Sequence, residues 1–295
     1  MLSESGLIAV DWGTTNRRVF VLDPSGEVVD RITDGAGVLS IAANEFPAVV
    51  GALRERCGDR PMLLAGMIGS NRGWIEAPYL DCPATIDTLA AALVNVAGQD
   101  VRIVPGVCDR NQGRADVMRG EEVQLLGAVA GGLIAPGTPT CHPGTHAKWV
   151  RLDSAALASF RTVMTGEMFA LLRKHSLLAG ALNNVVTPGA AFEEGVKVAL
   201  ERRELLADLF SIRARILLGT LAPEDASSFG SGLLVGSDVA IGMDFVGGTD
   251  AVALIGEPGL TDLYASALAL AGRQSRRIDG EAAFLAGVKA LAARA

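Results

Sequence analysis

The sequence is poor in several features that mark common protein classes. Histidine occurs only three times, and the four cysteines, Cys57, Cys82, Cys108 and Cys141, lack the paired spacing of a zinc site. Reduced thiols are therefore expected. His142 and His146 stand four apart, but Pro143-Gly144 between them calls for a turn, which removes the helical spacing a metal would need. No Gly-x-x-x-x-Gly-Lys-Ser/Thr and no Gly-x-Ser-x-Gly is present, which argues against P-loop kinases and serine hydrolases. Basic residues form no block and the net charge is −7, so no nucleic-acid partner is expected. The apolar stretch at residues 125–135 is short and glycine-rich against the roughly 20 residues that span a bilayer. The first apolar run already meets an acid at Asp11, unlike a signal peptide. A cytoplasmic protein with no membrane partner is the expectation.

What is there is hydrophobic: 49% of 295 residues, enough for two lobes with their own cores. We expect an N-terminal lobe over residues 1–132 and a C-terminal lobe over 133–295. Residues 7–23 read as a buried strand ending on Asp11, a turn through Gly13-Thr14-Thr15, and a returning strand. A glycine there lets backbone amides and hydroxyls approach phosphate oxygens, and Asp11 would hold Mg²⁺ directly or through water. Residues 141–153 repeat the plan with Gly144-Thr145 at the turn, and each copy is followed by a third extended stretch, at 27–32 and 160–164. Two such turns half a chain apart imply a duplicated fold with a nucleotide held between its halves.

Asp11-Trp12-Gly13-Thr14-Thr15-Asn16, Ala65-Gly66-Met67-Ile68-Gly69-Ser70-Asn71, Met118-Arg119-Gly120-Glu121-Glu122, Pro143-Gly144-Thr145-His146-Ala147-Lys148-Trp149 and Arg161-Thr162-Val163-Met164-Thr165-Gly166-Glu167 together resemble the 2-dehydro-3-deoxygalactonokinases. These belong to the superfamily of sugar kinases, heat-shock chaperones and actin. The resemblance runs in order over essentially the whole chain. It implies an α/β, two-lobe actin-like ATPase (ribonuclease H-like) fold with duplicated mixed β-sheets. It also implies transfer of a phosphoryl group from ATP, with Mg²⁺, to the terminal hydroxyl of 2-dehydro-3-deoxy-D-galactonate in galactonate catabolism. His142-Pro143 replaces the acidic residue usual in the superfamily's second phosphate turn, and so leaves no second metal carboxylate there.

Other expectations follow in chain order. Asn44 caps a helix over 45–57, and residues 62–67 form a central strand that delivers a loop over 68–83. Gly69, Ser70, Asn71 and Trp74 in that loop would recognise a hydroxylated acid, with Arg72 either on its carboxylate or simply solvated, unless the loop is merely packed surface. A helix covers 86–96, a strand closes the first sheet at 101–105, and the polar residues 109–116, centred on Asn111, Gln112 and Gly113, form a mobile loop. Glu121 and Glu122 open the next helix, where acids suit the helix dipole. The order acidic pair, helix, Gly-Thr turn also resembles the exopolyphosphatases, in which a glutamate at that place is catalytic. Either residue could therefore accept the acceptor hydroxyl's proton.

In the second half, Lys148 and His146 would contact phosphate or the sugar acid's carboxylate, with solvent the alternative for Lys148. Glu167, at the start of another helix, would hold a substrate hydroxyl, and that helix end is itself an anion site. Residues 188–243 read as helices, one interrupted at Gly230-Ser231-Gly232. Gly256 and Gly259, in a late strand, turn and helix, would lie against adenosine by analogy with the superfamily. A last strand at 275–278 and a helix from Glu281 finish the C-terminal lobe. A homodimer is the default assembly. A phosphohydrolase and a non-catalytic nucleotide sensor are the rival functions.

Overall fold

The computed structural model describes residues 5–110 and 113–295. The centre of the expected mobile loop, Asn111 and Gln112, lies outside the described residues. Two compact units emerge. Unit 1 comprises residues 1–136, 153–159 and 281–295, and unit 2 comprises 137–152 and 160–280. A single boundary after residue 132 misses the two segments that return to unit 1.

Unit 1 is built on β1 (Leu7–Trp12), β2 (Arg17–Leu22), β3 (Val28–Asp34), α1 (Phe46–Cys57) and β4 (Met62–Gly66). There follow β5 (Tyr79–Asp81), α2 (Ile86–Ala91), β6 (Val94–Asn95), β7 (Val101–Ile103), β8 (Gly106–Asp109), β9 (Asp116–Met118) and α3 (Glu121–Ala130). The main sheet has the order β3-β2-β1-β4-β7-β6, and β5-β8-β9 form a smaller one. β1 is antiparallel to β2 and parallel to β4. Its central place explains why its residues are apolar on both faces, as buried parallel strands are. Trp12, Phe46, Val10 and Leu64 share one core, and Trp12 meets Phe46 edge to face at 5.9 Å.

Three local expectations fail here. Asn44 does not cap α1: Glu45 occupies that position without a side-chain bond to the helix. The helix expected over 86–96 stops at Ala91, because Val94 and Asn95 pair with Ile103 and Arg102 as an edge strand. Sheet pairing thus overrides alanine's helix propensity. Residues 68–83 are also not all loop, since a 3₁₀ turn covers Met67–Gly69 and β5 lies near the far end.

Unit 2 is built on β10 (Thr140–His142), β11 (Ala147–Asp153) and β12 (Ala156–Val163), of which the β11–β12 hairpin end at 153–159 belongs to unit 1, and on α4 (Thr165–His175), α5 (Ala190–Arg202), α6 (Leu205–Leu217) and α7 (Ala226–Val246). β13 (Val252–Gly256), α8 (Pro258–Leu270) and β14 (Ser275–Asp279) complete it. Its sheet order, β12-β11-β10-β13-β14, repeats the third-second-first-fourth order of unit 1, with one later strand paired beyond the fourth in place of β7 and β6. β10 is again antiparallel to the second strand and parallel to the fourth. The duplication inferred from the two Gly-Thr turns is therefore a duplication of topology.

Gly230-Ser231-Gly232 does not interrupt α7, which runs through it unbroken. Those small residues serve packing instead. A Cβ on Gly232 would strike the Phe192 carbonyl, one on Gly236 would strike Val196, and one on Gly195 would strike the Phe229 carbonyl, so α5 and α7 touch backbone to backbone. The stretch Pro223–Val246 is long and apolar enough to cross a bilayer by length and composition, but 72% of its most apolar window is buried inside the protein.

The last helix, α9 (Gly280–Ala292), packs in unit 1 rather than finishing the C-terminal lobe. Gly127 of α3 leaves room for the Ala283 and Gly287 backbone, and Phe284 meets Phe20 at 5.6 Å.

Candidate active site

In unit 1 the carboxyl ends of the parallel strands β1 and β4 lie side by side, with Asp11 opposite Ala65 and Trp12 opposite Gly66. Asp11 is partly buried, and its Oδ2 accepts a hydrogen bond at 2.6 Å from Arg18, its antiparallel partner on β2. The turn that follows is closed by the Gly13 N–H to the Asn16 carbonyl at 2.9 Å. From behind, Val38 and Leu39 donate to the Gly13 and Thr14 carbonyls at 3.0 and 3.2 Å, and a side chain on Gly37 would collide with Thr15. Thr14 and Thr15 stay exposed on a fixed backbone. Sequence reasoning missed the residues that fix it: the Trp12 indole donates to the Ala36 carbonyl at 2.8 Å, and Arg17 grips Asp34 with two bonds while lying over the Trp12 ring.

The start of α3 comes to the same end of the sheet. Gly120, at φ +107, approaches Gly66, at φ +93, so closely that a Cβ on Gly120 would stand 3.1 Å from the Gly66 Cα. Left-handed backbone of this kind favours glycine. The two glutamates then diverge. Glu122 is fully buried, and its Oε2 accepts from the Gly120 N–H at 2.6 Å while Oε1 has no partner among the described residues. Burial, reinforced by the neighbouring Glu121 charge, pushes its carboxyl up to about 8. Glu121 is half-buried and accepts from the Arg119 N–H at 3.1 Å.

Arg119 is itself a find. Its side chain is buried, donates from Nη2 to the Ala77 carbonyl at 2.8 Å and lies 4.3 Å from the Tyr79 ring. Nε and Nη1 have no partner among the described residues. Arg119 thereby ties the expected substrate loop to the start of α3. In that loop Gly69 is buried where a Cβ would meet Arg119 Nη1 and Ile103, each at 3.0 Å. The Ser70 hydroxyl is committed to the Met67 carbonyl at 2.7 Å, and Trp74 packs partly against the unit 1 core. Asn71 and Arg72 are exposed. Arg119 was legible as part of a motif, but its burial was not.

In unit 2, Pro143, Gly144 and Thr145 follow β10, and Gly256 ends β13 with φ +149 and room for a Cβ 3.5 Å from the Pro143 carbonyl. Gly166 lies against Gly144 and Thr145, where any side chain would collide, and the Glu167 N–H donates to the Thr145 carbonyl at 3.0 Å. His146 Nε2 and Glu167 Oε2 are 2.5 Å apart on the exposed side of this turn. Lys148 is buried, not solvent-facing, and its ammonium donates to Thr162 Oγ1 at 2.8 Å. Gly259 is exposed in the first turn of α8. No cluster of three or more metal-ligating side chains occurs among the described residues.

The 2-keto-3-deoxy-galactonokinase family model matches residues 11–291 of this chain. The chain belongs to that family. A 2-dehydro-3-deoxygalactonokinase of Escherichia coli K12 is 39% identical over 287 residues, covering 97% of each chain. A crystal structure of a Sinorhizobium meliloti protein assigned the same activity superposes with a TM-score of 0.88 at 35% identity, covering 97% of this chain and 98% of that one. The Acidaminococcus fermentans (R)-2-hydroxyglutaryl-CoA dehydratase component A shares the fold alone, at a TM-score of 0.53 and 14% identity over 97% and 96% of the chains. The family's fold is thus the expected actin-like ATPase fold, its members are kinases, and this chain is a kinase of that family.

Proposed function

We propose that the protein transfers the γ-phosphoryl group of ATP to the 6-hydroxyl of 2-dehydro-3-deoxy-D-galactonate, giving 2-dehydro-3-deoxy-6-phosphogalactonate and ADP. The observation that carries this is family membership over residues 11–291 together with relatives that bear the activity in their names. The geometry adds roles. The Gly13-Thr14-Thr15 turn, with both threonines exposed, and the Gly144-Thr145 turn are suited to phosphate oxygens, with Lys148, on the strand that leaves the second, as a further phosphate contact. Gly256 and Gly259 leave space for a nucleoside.

Glu121, reachable from solvent, orients the acceptor hydroxyl and takes its proton as the hydroxyl oxygen bonds to the γ-phosphorus and the bond to the β-bridging oxygen breaks. Glu122 is sealed in and holds Gly120 instead. Asn71 and Trp74 contact the acceptor, the buried Gly69 letting their loop pack closely on Arg119, while His146 and Glu167 act as a pair toward the sugar acid or phosphate. A single carboxylate such as Asp11 fits Mg²⁺ that arrives on the nucleotide, because Mg²⁺ is commonly held by one or two carboxylates plus substrate phosphates. Bound there, it would neutralise phosphate charge.

The test is ATP consumption in the presence of 2-dehydro-3-deoxy-D-galactonate, its gluconate epimer, hexoses, polyphosphate or no acceptor. Turnover confined to the galactonate compound is expected. Phosphate release without a sugar acid would replace the kinase reading with a phosphohydrolase.

A further inference from the structure

Asp238 is fully buried in the middle of the apolar helix α7 and makes three side-chain bonds to three other elements. The Trp149 indole N–H of β11 donates to Oδ1 at 2.6 Å. The Thr165 hydroxyl at the start of α4 donates to Oδ2 at 2.5 Å, and the Tyr264 hydroxyl of α8 donates to the same oxygen. All three donors are neutral. Burial raises the Asp238 carboxyl to about 6 despite their pull, so a desolvation cost has been retained in a core where an apolar residue would fill the space without one.

We propose that Asp238 is a positioning residue for the nucleotide-binding end of unit 2. It never meets the ligand; it acts through the elements it ties together. Thr165 directly precedes Gly166 and Glu167, and these two form the contacts with Gly144 and Thr145 that set the phosphate turn. Trp149 follows Lys148 on β11, and its indole lies against Gly242 of α7, where a Cβ would overlap it. Tyr264 lies in α8, which begins immediately after Gly256 and Glu257. One carboxylate therefore links the three segments to which phosphate and nucleoside are assigned, and the proposal rests on that assignment.

The experiment compares Thr165→Val, Thr165→Ser, Tyr264→Phe and the wild type. ATP affinity is measured by calorimetry, kinetics with 2-dehydro-3-deoxy-D-galactonate by ATP consumption, and melting temperature alongside. Thr165→Val removes one bond to Asp238 and leaves the other two. It should weaken ATP binding by about tenfold or more, since small misplacements of a binding group are costly, while the KM for the sugar acid moves less than twofold. Thr165→Ser, which keeps the hydroxyl, should restore ATP affinity, and Tyr264→Phe should weaken ATP binding in the same direction as Thr165→Val. A lowered melting temperature with ATP affinity within twofold of wild type in both Thr165→Val and Tyr264→Phe would reduce Asp238 to a core-packing residue. Wild-type protein that binds ATP but leaves the sugar acid unphosphorylated would overturn the acceptor assignment alone, with the affinity comparison still deciding the role of Asp238. Wild-type protein that binds no ATP would overturn both.

Discussion

Glu121 and Glu122 are adjacent at the start of α3, yet only Glu122 is sealed from solvent, its Oε2 held 2.6 Å from the Gly120 N–H. Replacing each by glutamine separates their roles. Glu121→Gln should lower kcat by roughly 10²-fold or more, the usual scale for a lost general base, with the fold intact. Glu122→Gln keeps an amide oxygen to accept from Gly120 and should retain most of the turnover. Steady-state kinetics of the two variants checks the assignment, and the reverse pattern would exchange the roles.

The same burial gives a pH signature in stability. Glu122 ionises near 4.5 unfolded and is pushed up to about 8 in the fold, so the native state binds this proton more tightly. Its contribution is full at low pH and is lost as pH rises through that window, by at most about 1.4 kcal/mol per pH unit. Melting curves should show the wild type losing stability relative to Glu122→Gln between pH 5 and pH 8. Parallel curves would mean that Glu122 does not titrate there. Asp238 slopes in the same sense, but its window closes near pH 6.

Asp11 and Arg18 form a cross-strand pair at 2.6 Å in a sheet whose core does not depend on them. Asp11→Asn should therefore unfold near the wild-type temperature while turnover falls by about two orders of magnitude or more. Kinetics close to wild type would remove Asp11 from the mechanism.

Arg119 predicts an effect confined to the acceptor. Arg119→Met keeps most of the buried stem and removes the bond to the Ala77 carbonyl and the stack on Tyr79. The KM for the sugar acid should rise about tenfold with that for ATP within twofold. Equal rises in both would show that Arg119 supports the whole unit rather than the loop.

Much of this was readable in one dimension because it is periodic or local. Buried strands ending in Gly-Thr turns announced themselves twice, and the duplicated strand order followed. Helix ends set by tertiary pairing did not, as the early stop of α2 at Ala91 shows. Glycines in α7 read as breaks because a sequence does not reveal the neighbouring helix that needs their bareness. Buried partners were hidden for the same reason: the loop's own cation, Arg72, is exposed, while the buried guanidinium with two unpartnered nitrogens among the described residues belongs to Arg119. The available signal for Asp238 was an acid in the middle of a long apolar helix, where the helix's other acid, Asp244, stands in the last turn.

The return of α9 to unit 1 bears on the order in which the protein is made. The helix that covers Phe20 and nests against Gly127 is translated only after all of unit 2. An emerging chain must therefore carry an uncovered apolar face on its first unit throughout synthesis of the second. Ending translation after Asp279 should leave unit 1 the protease-sensitive part, although everything removed lies at the opposite end of the sequence. Limited digestion that cut unit 2 first would contradict this order.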